Sequence, residues 1–315
     1  MTVQAHPAVA TQKSRYFRVF EQDIEAREVP PGLYLVATPI GNLADVTLRA
    51  LETLAGVEVV ACEDSRVTRR LFERYAITTP LITYHDHNAE TARPKILARL
   101  AAGAAVALVS DAGTPLISDP GFKLVQAAQA AGHAVTALPG ASAVLAAVTA
   151  SGLPTDRFYF EGFLPPRETA RRARIGELAA LPATLVLFET GPRIAAMLDD
   201  LTAGLGARPA AICRELTKLH EEIRRGDLDA LAQAYRDGAE TRGEFVVVVG
   251  PPGKAEAMDA VDLDAMLRHA LATASLKDAV EAVAAATGEK RRIVYQRALD
   301  LTKHDGMKRG TDEAD

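Results

Sequence analysis

Residues 106–121 have the sequence VALVSDAGTPLISDPG, an apolar run followed by a long loop rich in Gly, Pro, Asp and small hydroxyl side chains. The run is typical of a buried strand, and the loop has the residues that favour turns. In open α/β sheets, ligands bind where loops leave the carboxyl ends of strands. The backbone N–H groups of such a loop can hold a carboxylate, and its Asp side chains can hold an ammonium. The residues alone favour ligand binding and an ordinary surface loop equally.

Similar apolar runs alternate with helical patterns on both sides of this loop. Strands are predicted at 33–37, 57–62, 81–84 and 134–138, with helices between them. This alternation predicts an α/β layer fold with a largely parallel sheet. After Ser151-Gly152-Leu153-Pro154-Thr155, which is typical of a linker, strands and helices alternate again until the Pro-Pro-Gly break that begins at Pro251.

These patterns divide the chain into five segments. Residues 1–31 are polar and aperiodic and are predicted to form a flexible tail. Residues 32–150 and 151–252 are predicted to form two α/β lobes. Residues 258–303 have helical periodicity and predict a small helical module, followed by a second tail at 304–315.

Composition excludes several classes of protein. The 315 residues are 48% hydrophobic and 24% charged, which is ordinary for a globular chain. The formal net charge of −5 excludes nucleic-acid binding through overall charge, so any RNA contact needs local basic patches. Cys62 and Cys213 lie in apolar runs and are predicted to be buried free thiols, which favours a reducing, cytoplasmic compartment. We expect neither a secretory signal nor a membrane-spanning segment, because no apolar run has the required length.

Some polar clusters are open to two interpretations. Glu63-Asp64-Ser65-Arg66 follows a predicted strand, where a carboxylate either faces a cleft or caps the next helix. His85 and His87 are spaced like metal ligands, but no third and fourth ligand is evident, and we expect no metal. No loop matches the dinucleotide fingerprint or the P-loop, so neither type of phosphate-binding loop is supported.

Several motifs occur in a characteristic order. They are LVATPIGNL (35–43), EDSR (63–66), YHDHN (84–88), the loop at 110–121, SGLPTD (151–156), RELTK (214–218) and Gly243-Glu244. With these motifs, residues 32–250 resemble the ribosomal RNA small subunit methyltransferase I family of the tetrapyrrole-methylase superfamily. The helical module, with SLKDA at 275–279, resembles the C-terminal extension of that family.

The resemblance implies a two-lobed α/β fold with mostly parallel sheets and a helical, RNA-binding extension. It implies S-adenosylmethionine (SAM) as methyl donor in a cleft between the lobes, no metal, and a cytoplasmic homodimer. The implied reaction is 2′-O-methylation of a cytidine ribose in the decoding region of small-subunit (16S) ribosomal RNA, with the 30S subunit as the expected partner. The implied cofactor-binding residues are Ile40, Gly113, Thr114, Ile117, Ser118, Ser142, Ala143 and Gly243.

One motif departs from the family pattern. The family commonly has Glu-x-Pro-His-Arg after a strand of the second lobe, whereas this chain has Glu189-Thr190-Gly191-Pro192-Arg193. A role for a histidine at this place is therefore excluded.

A ribose hydroxyl is a weak nucleophile that gains from proton removal during attack. Lys218 is predicted either to act as a base of lowered pKa or to stabilise developing negative charge. Arg214-Glu215 with Lys218 also fits a surface ion pair. The predicted catalytic residues are Glu63, Asp64, Glu189 and Lys218, with Glu215 and the His85/His87 pair as further candidates for the base.

Two basic regions are candidates for RNA binding. Residues 157–174 hold five Arg against two Glu, next to aromatic residues that suit stacking on unpaired bases. Residues 289–309 hold seven basic residues against three acidic ones. For the first region the alternative is that Phe158 and Phe160 face inward from a strand, and for the second it is a solvated charged helix. The predicted RNA contacts are Arg167, Arg171, Arg172, Arg174, Lys290, Arg291 and Arg292.

Two other functions stay open at this point. One is methylation of a tetrapyrrole or a protein side chain, against which the basic regions argue. The other is a ribosome-assembly factor that binds RNA without methyl transfer, against which the intact loop at 110–121 argues.

Overall fold

The computed structural model describes residues 15–253, 260–272, 274–287 and 290–309. The chain divides into two compact units between Pro251 and Pro252. Within the described residues, the first unit contains two five-stranded sheets and a two-stranded hairpin. The second unit contains helices with a core of their own.

The hairpin precedes both sheets. Strand β1 (Tyr16–Val19) pairs antiparallel with β2 (Gln22–Glu25). Phe17 lies in the same buried cluster as Leu71 and Tyr75, and Arg18 N donates to Tyr75 O at 2.7 Å. The prediction of a flexible tail is therefore wrong for residues 16–25, because burying Phe17 stabilises this segment against the lobe. Residues 1–14 of the predicted tail lie outside the described residues.

The first sheet is built by alternating strands and helices, with a short 3₁₀ helix at Leu43–Asp45. Its elements are β3 (Gly32–Val36), α1 (Leu48–Gly56), β4 (Val59–Cys62), α2 (Ser65–Arg74), β5 (Leu81–Thr83), α3 (Ala89–Ala101), β6 (Ala105–Val109), α4 (Phe122–Ala130) and β7 (Val135–Leu138).

All pairs in this sheet are parallel, as predicted, and the strand order is β5-β4-β6-β3-β7. Helices α1 and α2 cover one face, and α3 and α4 cover the other. Strands β4 and β6 are buried along their whole length, as expected for a parallel sheet covered on both sides. Because β6, β3 and β7 are neighbours, the loops after their carboxyl ends lie side by side.

The second sheet is built from the residues that follow the first sheet along the chain. A second 3₁₀ helix, at Gly191–Arg193, comes directly after one of its strands. The elements are α5 (Ala143–Ser151), β8 (Phe158–Phe163), α6 (Glu168–Leu178), β9 (Thr184–Thr190), α7 (Ile194–Leu205), β10 (Pro209–Arg214), β11 (Glu222–Asp227), α8 (Leu228–Arg236) and β12 (Glu244–Val249).

The strand order here is β11-β10-β12-β9-β8. The β8–β9 pair is parallel, whereas β9–β12, β12–β10 and β10–β11 are antiparallel. The prediction of mostly parallel sheets is therefore confirmed for the first sheet and wrong for the second. Strand β11, with the sequence EIRRGD, is not predicted because it has neither an apolar run nor an alternation of buried and exposed residues. Its short connection to β10 permits antiparallel pairing.

Helix α5 links the two sheets. Along the chain it comes directly after the first sheet, yet Val144, Ala147 and Val148 pack with buried residues of β9, β10 and β12. Helices α6, α7 and α8 cover the other face of the second sheet.

The second unit contains α9 (Ala260–Leu271), α10 (Leu276–Thr287) and α11 (Arg291–Arg309). Its core includes Leu267, Val280, Val283 and Val294. Residues 304–309, predicted as part of a tail, belong to α11. Residues 258, 259 and 310–315 of the predicted module and tail lie outside the described residues.

A buried ion pair joins α6 to α7. Arg171 and Asp200 are 2.6 Å apart, with 8% and 3% of their side chains exposed, and Arg172 Nε also donates to Asp200 at 2.6 Å. The prediction that Arg171 contacts RNA is therefore wrong, because its guanidinium is enclosed with a carboxylate from another helix.

This pair gives a stability prediction with a neighbouring control. Asp200→Ala leaves the Arg171 charge buried without its partner and should lower the free energy of unfolding by about 3–5 kcal/mol. Asp199→Ala removes the partner of Arg236 at the surface and should cost less than about 1 kcal/mol. Urea unfolding measures both, and an Asp200→Ala protein as stable as the Asp199→Ala protein would contradict this account.

Candidate functional site

A cleft of about 220 Å³ lies where the loops after β3, β6 and β7 face the second sheet. Seven of the eight predicted cofactor-binding residues line it: Ile40, Gly113, Thr114, Ile117, Ser118, Ser142 and Ala143. The eighth, Gly243, is not part of the lining but precedes Glu244, which is. Strands β9, β10 and β12 contribute Phe188, Glu189, Thr190, Cys213, Phe245 and Val246 to the opposite side.

Backbone contacts between loops shape the first-sheet side of the cleft. Thr38 and Gly113 exchange two backbone hydrogen bonds, each 2.9 Å long. Gly113 has a φ of +79°, and a Cβ added to it would lie 3.2 Å from the Ile40 side chain, so this position favours glycine. Thr114 Oγ1 donates to Ala141 O at 3.2 Å, which joins the loop after β6 to the loop after β7. The backbone of the three loops after β3, β6 and β7 therefore lies close to the cleft.

Gly243 has a supporting position beside the cleft. Its φ is +110°, and a Cβ there would lie 2.6 Å from Glu215 Oε1. That oxygen accepts hydrogen bonds from Glu244 N at 2.9 Å and from Lys218 Nζ at 2.7 Å. The missing side chain at Gly243 leaves room for this carboxylate.

Lys218 lines the cleft as a fixed cation. Its Nζ donates to Glu215 Oε1 and to Glu244 Oε2, both at 2.7 Å. Burial lowers the pKa of Lys218, but the hydrogen bonds to the two carboxylates outweigh burial and raise that pKa above its ordinary value. The prediction that Lys218 acts as a base of lowered pKa is therefore wrong, and its role as a cation remains.

Glu189 is a buried carboxylate in the cleft wall, on β9. Its Oε1 accepts a hydrogen bond from Thr190 N at 2.8 Å. Its Oε2 is 3.1 Å from Arg193 Nη2, which donates to Leu164 O at 2.8 Å. Within the described part of the chain, Glu189 Oε2 accepts no hydrogen bond. Oε2 is therefore paired with the Arg193 charge without a hydrogen bond, and Glu189 contributes a buried carboxylate to the cleft wall.

Glu63 and Asp64 do not line the cleft. Asp64 caps α2, with its Oδ1 accepting from Arg66 N at 2.8 Å, and the Arg66 side chain lowers the pKa of Asp64 to about 2. Of the two interpretations that the sequence left open for Asp64, the structure shows the helix cap. Burial, followed by the charges of Asp111 and Asp119, raises the pKa of Glu63.

Sequence reasoning missed Asp119, which lines the cleft. Burial raises its pKa to about 6, and the charge of Asp111 adds to this shift while a hydrogen bond with Ser110 opposes it. In the described part of the chain, no cation pairs with Asp119. The signal in the sequence is its position as the second Asp of the loop at 110–121, because this loop is predicted to offer Asp side chains to an ammonium.

The histidine pair shows no metal-binding geometry. The rings of His85 and His87 are 6.0 Å apart, and His85 N donates to Asn88 Oδ1 at 2.9 Å. Among the residues described, no group of three or more His, Cys, Asp or Glu side chains is placed to hold a metal ion. No described helix is long and apolar enough to span a membrane.

The predicted RNA contacts differ in how available they are. Arg172 pairs with Glu168 and Asp200, and Arg174 pairs with Glu161 and Glu177. Arg167 is exposed at the start of α6, and Arg292 is exposed at the start of α11. Arg291 lies 3.4 Å from Glu281, and Lys290 is exposed just before α11.

Comparison with known proteins identifies the family. The family model described as Tetrapyrrole (Corrin/Porphyrin) Methylases matches residues 32–232, and the one described as RsmI C-terminal HTH domain matches 257–302. A curated relative from Mesorhizobium japonicum, named Ribosomal RNA small subunit methyltransferase I, is 50% identical over 289 residues, 91% of this chain and 98% of its own. The chain belongs to the ribosomal RNA small subunit methyltransferase I family. The family and the methyl donor predicted from the motifs, SAM, are thereby confirmed.

Further relatives agree with this assignment. A protein of the same name from Erythrobacter litoralis is 50% identical over 281 residues, 89% of this chain and 99% of its own. A cobalt precorrin-4 methyltransferase has a TM-score of 0.53 at 19% identity and covers 69% of this chain and 94% of its own. A diphthine synthase has a TM-score of 0.52 at 17% identity, covering 69% and 89%. At these identities the solved structures show the fold alone, which confirms the predicted tetrapyrrole-methylase fold.

Proposed function

We propose that this chain transfers the methyl group of SAM to the ribose 2′-oxygen of a cytidine in the decoding region of 16S ribosomal RNA. Family membership supports a methyltransferase that acts on small-subunit ribosomal RNA. The observation that carries the proposed chemistry is that the Glu189 carboxylate and the fixed cation of Lys218 line one cleft.

The residues of the cleft fit SAM. This donor carries a sulfonium and an ammonium, and Asp119 is a cleft carboxylate without a paired cation among the described residues. Close backbone approach at Gly113 and the small side chains at Ser118, Ser142 and Ala143 leave room for an extended ligand. We therefore assign SAM binding to Asp119 together with Ile40, Gly113, Thr114, Ile117, Ser118, Ser142 and Ala143, with Gly243 in a supporting position.

When bound, SAM supplies an electrophilic methyl carbon, so the protein mainly aligns the attacking oxygen with it. Glu189, the carboxylate of the cleft wall, is the candidate to accept the proton of the ribose hydroxyl. Lys218 stays protonated and stabilises the negative charge that develops on the ribose oxygen. Asp64 is a weak base because Arg66 holds its pKa near 2, and Glu63 lies outside the cleft lining.

RNA binding is assigned to exposed basic residues on both units. Arg167 and Arg172 offer charge on α6, although Arg172 shares its charge with two carboxylates. Lys290, Arg291 and Arg292 lie at the start of α11, in the segment that matches the HTH domain model. The homodimer, the 30S subunit as substrate, and the cytoplasmic location belong to this proposal.

Transfer of labelled methyl to small subunits tests the reaction. With 30S subunits from a strain lacking the enzyme and methyl-labelled SAM, label should appear on the ribose of a cytidine after digestion to nucleosides. Label confined to a base, or to ribosomal protein, would reject the proposed substrate atom.

Substitution of Glu189 tests the base. Glu189→Gln keeps the shape of the side chain but removes proton acceptance, so we expect kcat to fall by about a hundredfold or more. SAM affinity measured by calorimetry should stay within about twofold, because the base acts on the RNA hydroxyl. Glu168→Gln, an exposed change on α6, is the control. A Glu189→Gln enzyme with the control's kcat would exclude this role.

Asp119 gives a prediction about pH. Its carboxyl is protonated below about pH 6 and then offers no charge to a cationic ligand. SAM affinity of the native protein should therefore rise between about pH 5 and pH 7, and Asp119→Asn should bind SAM weakly with little dependence on pH. Calorimetry across this range measures both, and identical profiles for the two proteins would contradict the assignment.

A further inference from the structure

The N-terminal hairpin and helix α2 form a surface that the proposed function does not use. Phe17 of β1 lies in one buried cluster with Leu71 and Phe72 of α2, so the hairpin is held against this helix. A groove of about 440 Å³ lies between them, with Tyr16 and Arg69 among its lining residues. We define the hairpin–α2 surface by the side chains of Tyr16, Phe20, Arg69, Arg70 and Arg74.

The positive charge of this surface lies on helix α2, whereas the hairpin carries Glu21, Asp23 and Glu25 against Arg18. Helix α2 carries four arginines and one glutamate, Glu73. Arg66 is engaged by Asp64, and Arg74 lies over the Tyr75 ring at 5.7 Å. Within the described part of the chain, neither Arg69 nor Arg70 forms an ion pair, and both are exposed. Their charges are therefore available to an anionic partner.

The hairpin presents an exposed aromatic ring at its tip. Phe20 is 95% exposed, and with Glu21 it forms the two-residue turn between Val19 and Gln22. These turn residues have φ values of +47° and +62°, where hairpins favour Asn-Gly and where a bulky side chain is strained. The exposed ring of Phe20 thus contributes little to the stability of the fold, and the backbone strain at this residue points to a contact outside the chain.

The surface begins next to the cleft. Asp64, the cap of α2, donates from its backbone N–H to Asp111 Oδ1 at 2.9 Å, and Asp111 belongs to the loop at 110–121. Helix α2 has ten residues and is about 15 Å long, and the hairpin docks near its far end at Tyr75. Helix α2 therefore connects the loop at 110–121 to the hairpin, with Arg69 and Arg70 between its two ends.

We propose that the hairpin–α2 surface binds single-stranded RNA flanking the nucleotide in the cleft. Arg69 and Arg70 contact phosphates, and Phe20 stacks on an unpaired base. The assignment rests on the proposed function, because it takes the RNA substrate from there. RNA is favoured over a protein partner because the exposed ring of Phe20 stands alone at the tip of the hairpin, and Arg69 and Arg70 offer charge to phosphates, whereas protein interfaces have a contiguous apolar core.

A charge-matched pair of variants tests the phosphate contacts. The double variant Arg69→Gln/Arg70→Gln should lower the slope of log affinity against log salt by about 1.4 for a labelled single-stranded RNA, at about 0.7 per phosphate. The control Lys95→Gln/Lys123→Gln removes the same charge from α3 and α4, on the opposite face of the first sheet. It should keep the native slope, and SAM affinity should be unchanged in both proteins.

Phe20→Asn separates binding from folding. Asn tolerates positive φ better than Phe, so the thermal midpoint should stay equal or rise. RNA affinity should nevertheless fall about tenfold, because the stacking ring is lost.

The outcomes distinguish the alternatives. Equal salt slopes for the two double variants, or native RNA affinity in Phe20→Asn, would overturn the assignment. A changed sedimentation coefficient of Phe20→Asn with native RNA affinity would identify a protein contact instead and would equally overturn it. Label found on a base or on protein in the 30S assay would reject the proposed function, while the salt slopes would still report whether this surface binds RNA.

Discussion

Two backbone hydrogen bonds between Thr38 and Gly113 hold together the loops that form one side of the cleft. Thr38 Oγ1 adds a third contact by donating to Ser110 O at 3.1 Å. These bonds tie the end of β3 to the end of β6, which are neighbours in the parallel sheet. The positions of Ile40 and Thr114, and hence the shape of the cleft, depend on this junction.

The state of each charged side chain in the cleft depends on the groups that it contacts. Lys218 is bound by two carboxylates and remains a cation, whereas Glu189 accepts a hydrogen bond from Thr190 and pairs with Arg193. Burial raises the pKa of Asp119 to about 6, and the hydrogen bond with Ser110 offsets this shift only in part. One cleft thereby contains a fixed cation and two carboxylates in different surroundings, an arrangement that the proposed reaction uses.

The sequence predicts the first lobe well because its strands are apolar runs covered on both faces by helices. It does not predict β11 or the hairpin, whose strands are charged and gain their stability from pairing and from single contacts such as that of Phe17. The residues of the cleft could be predicted from the resemblance that the ordered motifs carry. Several of these motifs lie in loops that follow neighbouring parallel strands, and such loops lie at the same edge of the sheet.

Individual roles were harder to predict because they depend on partners that are distant in the chain. Arg171 is 29 residues from Asp200, which buries its charge. Lys218 is held by Glu215 and by Glu244, the latter 26 residues away, and the two hydrogen bonds together raise its pKa against the effect of burial. Glu63 and Glu189 both lie near strand ends, and the sequence pattern did not reveal which of them lines the cleft.

Helix α5 has a consequence for how ligands enter. Its first residues line the cleft, its middle packs on the second sheet, and Arg225 Nε donates to the carbonyl groups of Ala150 and Ser151 at its end. Because α5 is fixed to the second sheet, the short segment between β7 and α5 is the covalent connection at which the two sheets can move relative to each other. Ser142, in this segment, and Ala143, the first residue of α5, line the cleft, so such a movement is expected to change the width of the cleft when a ligand enters or leaves.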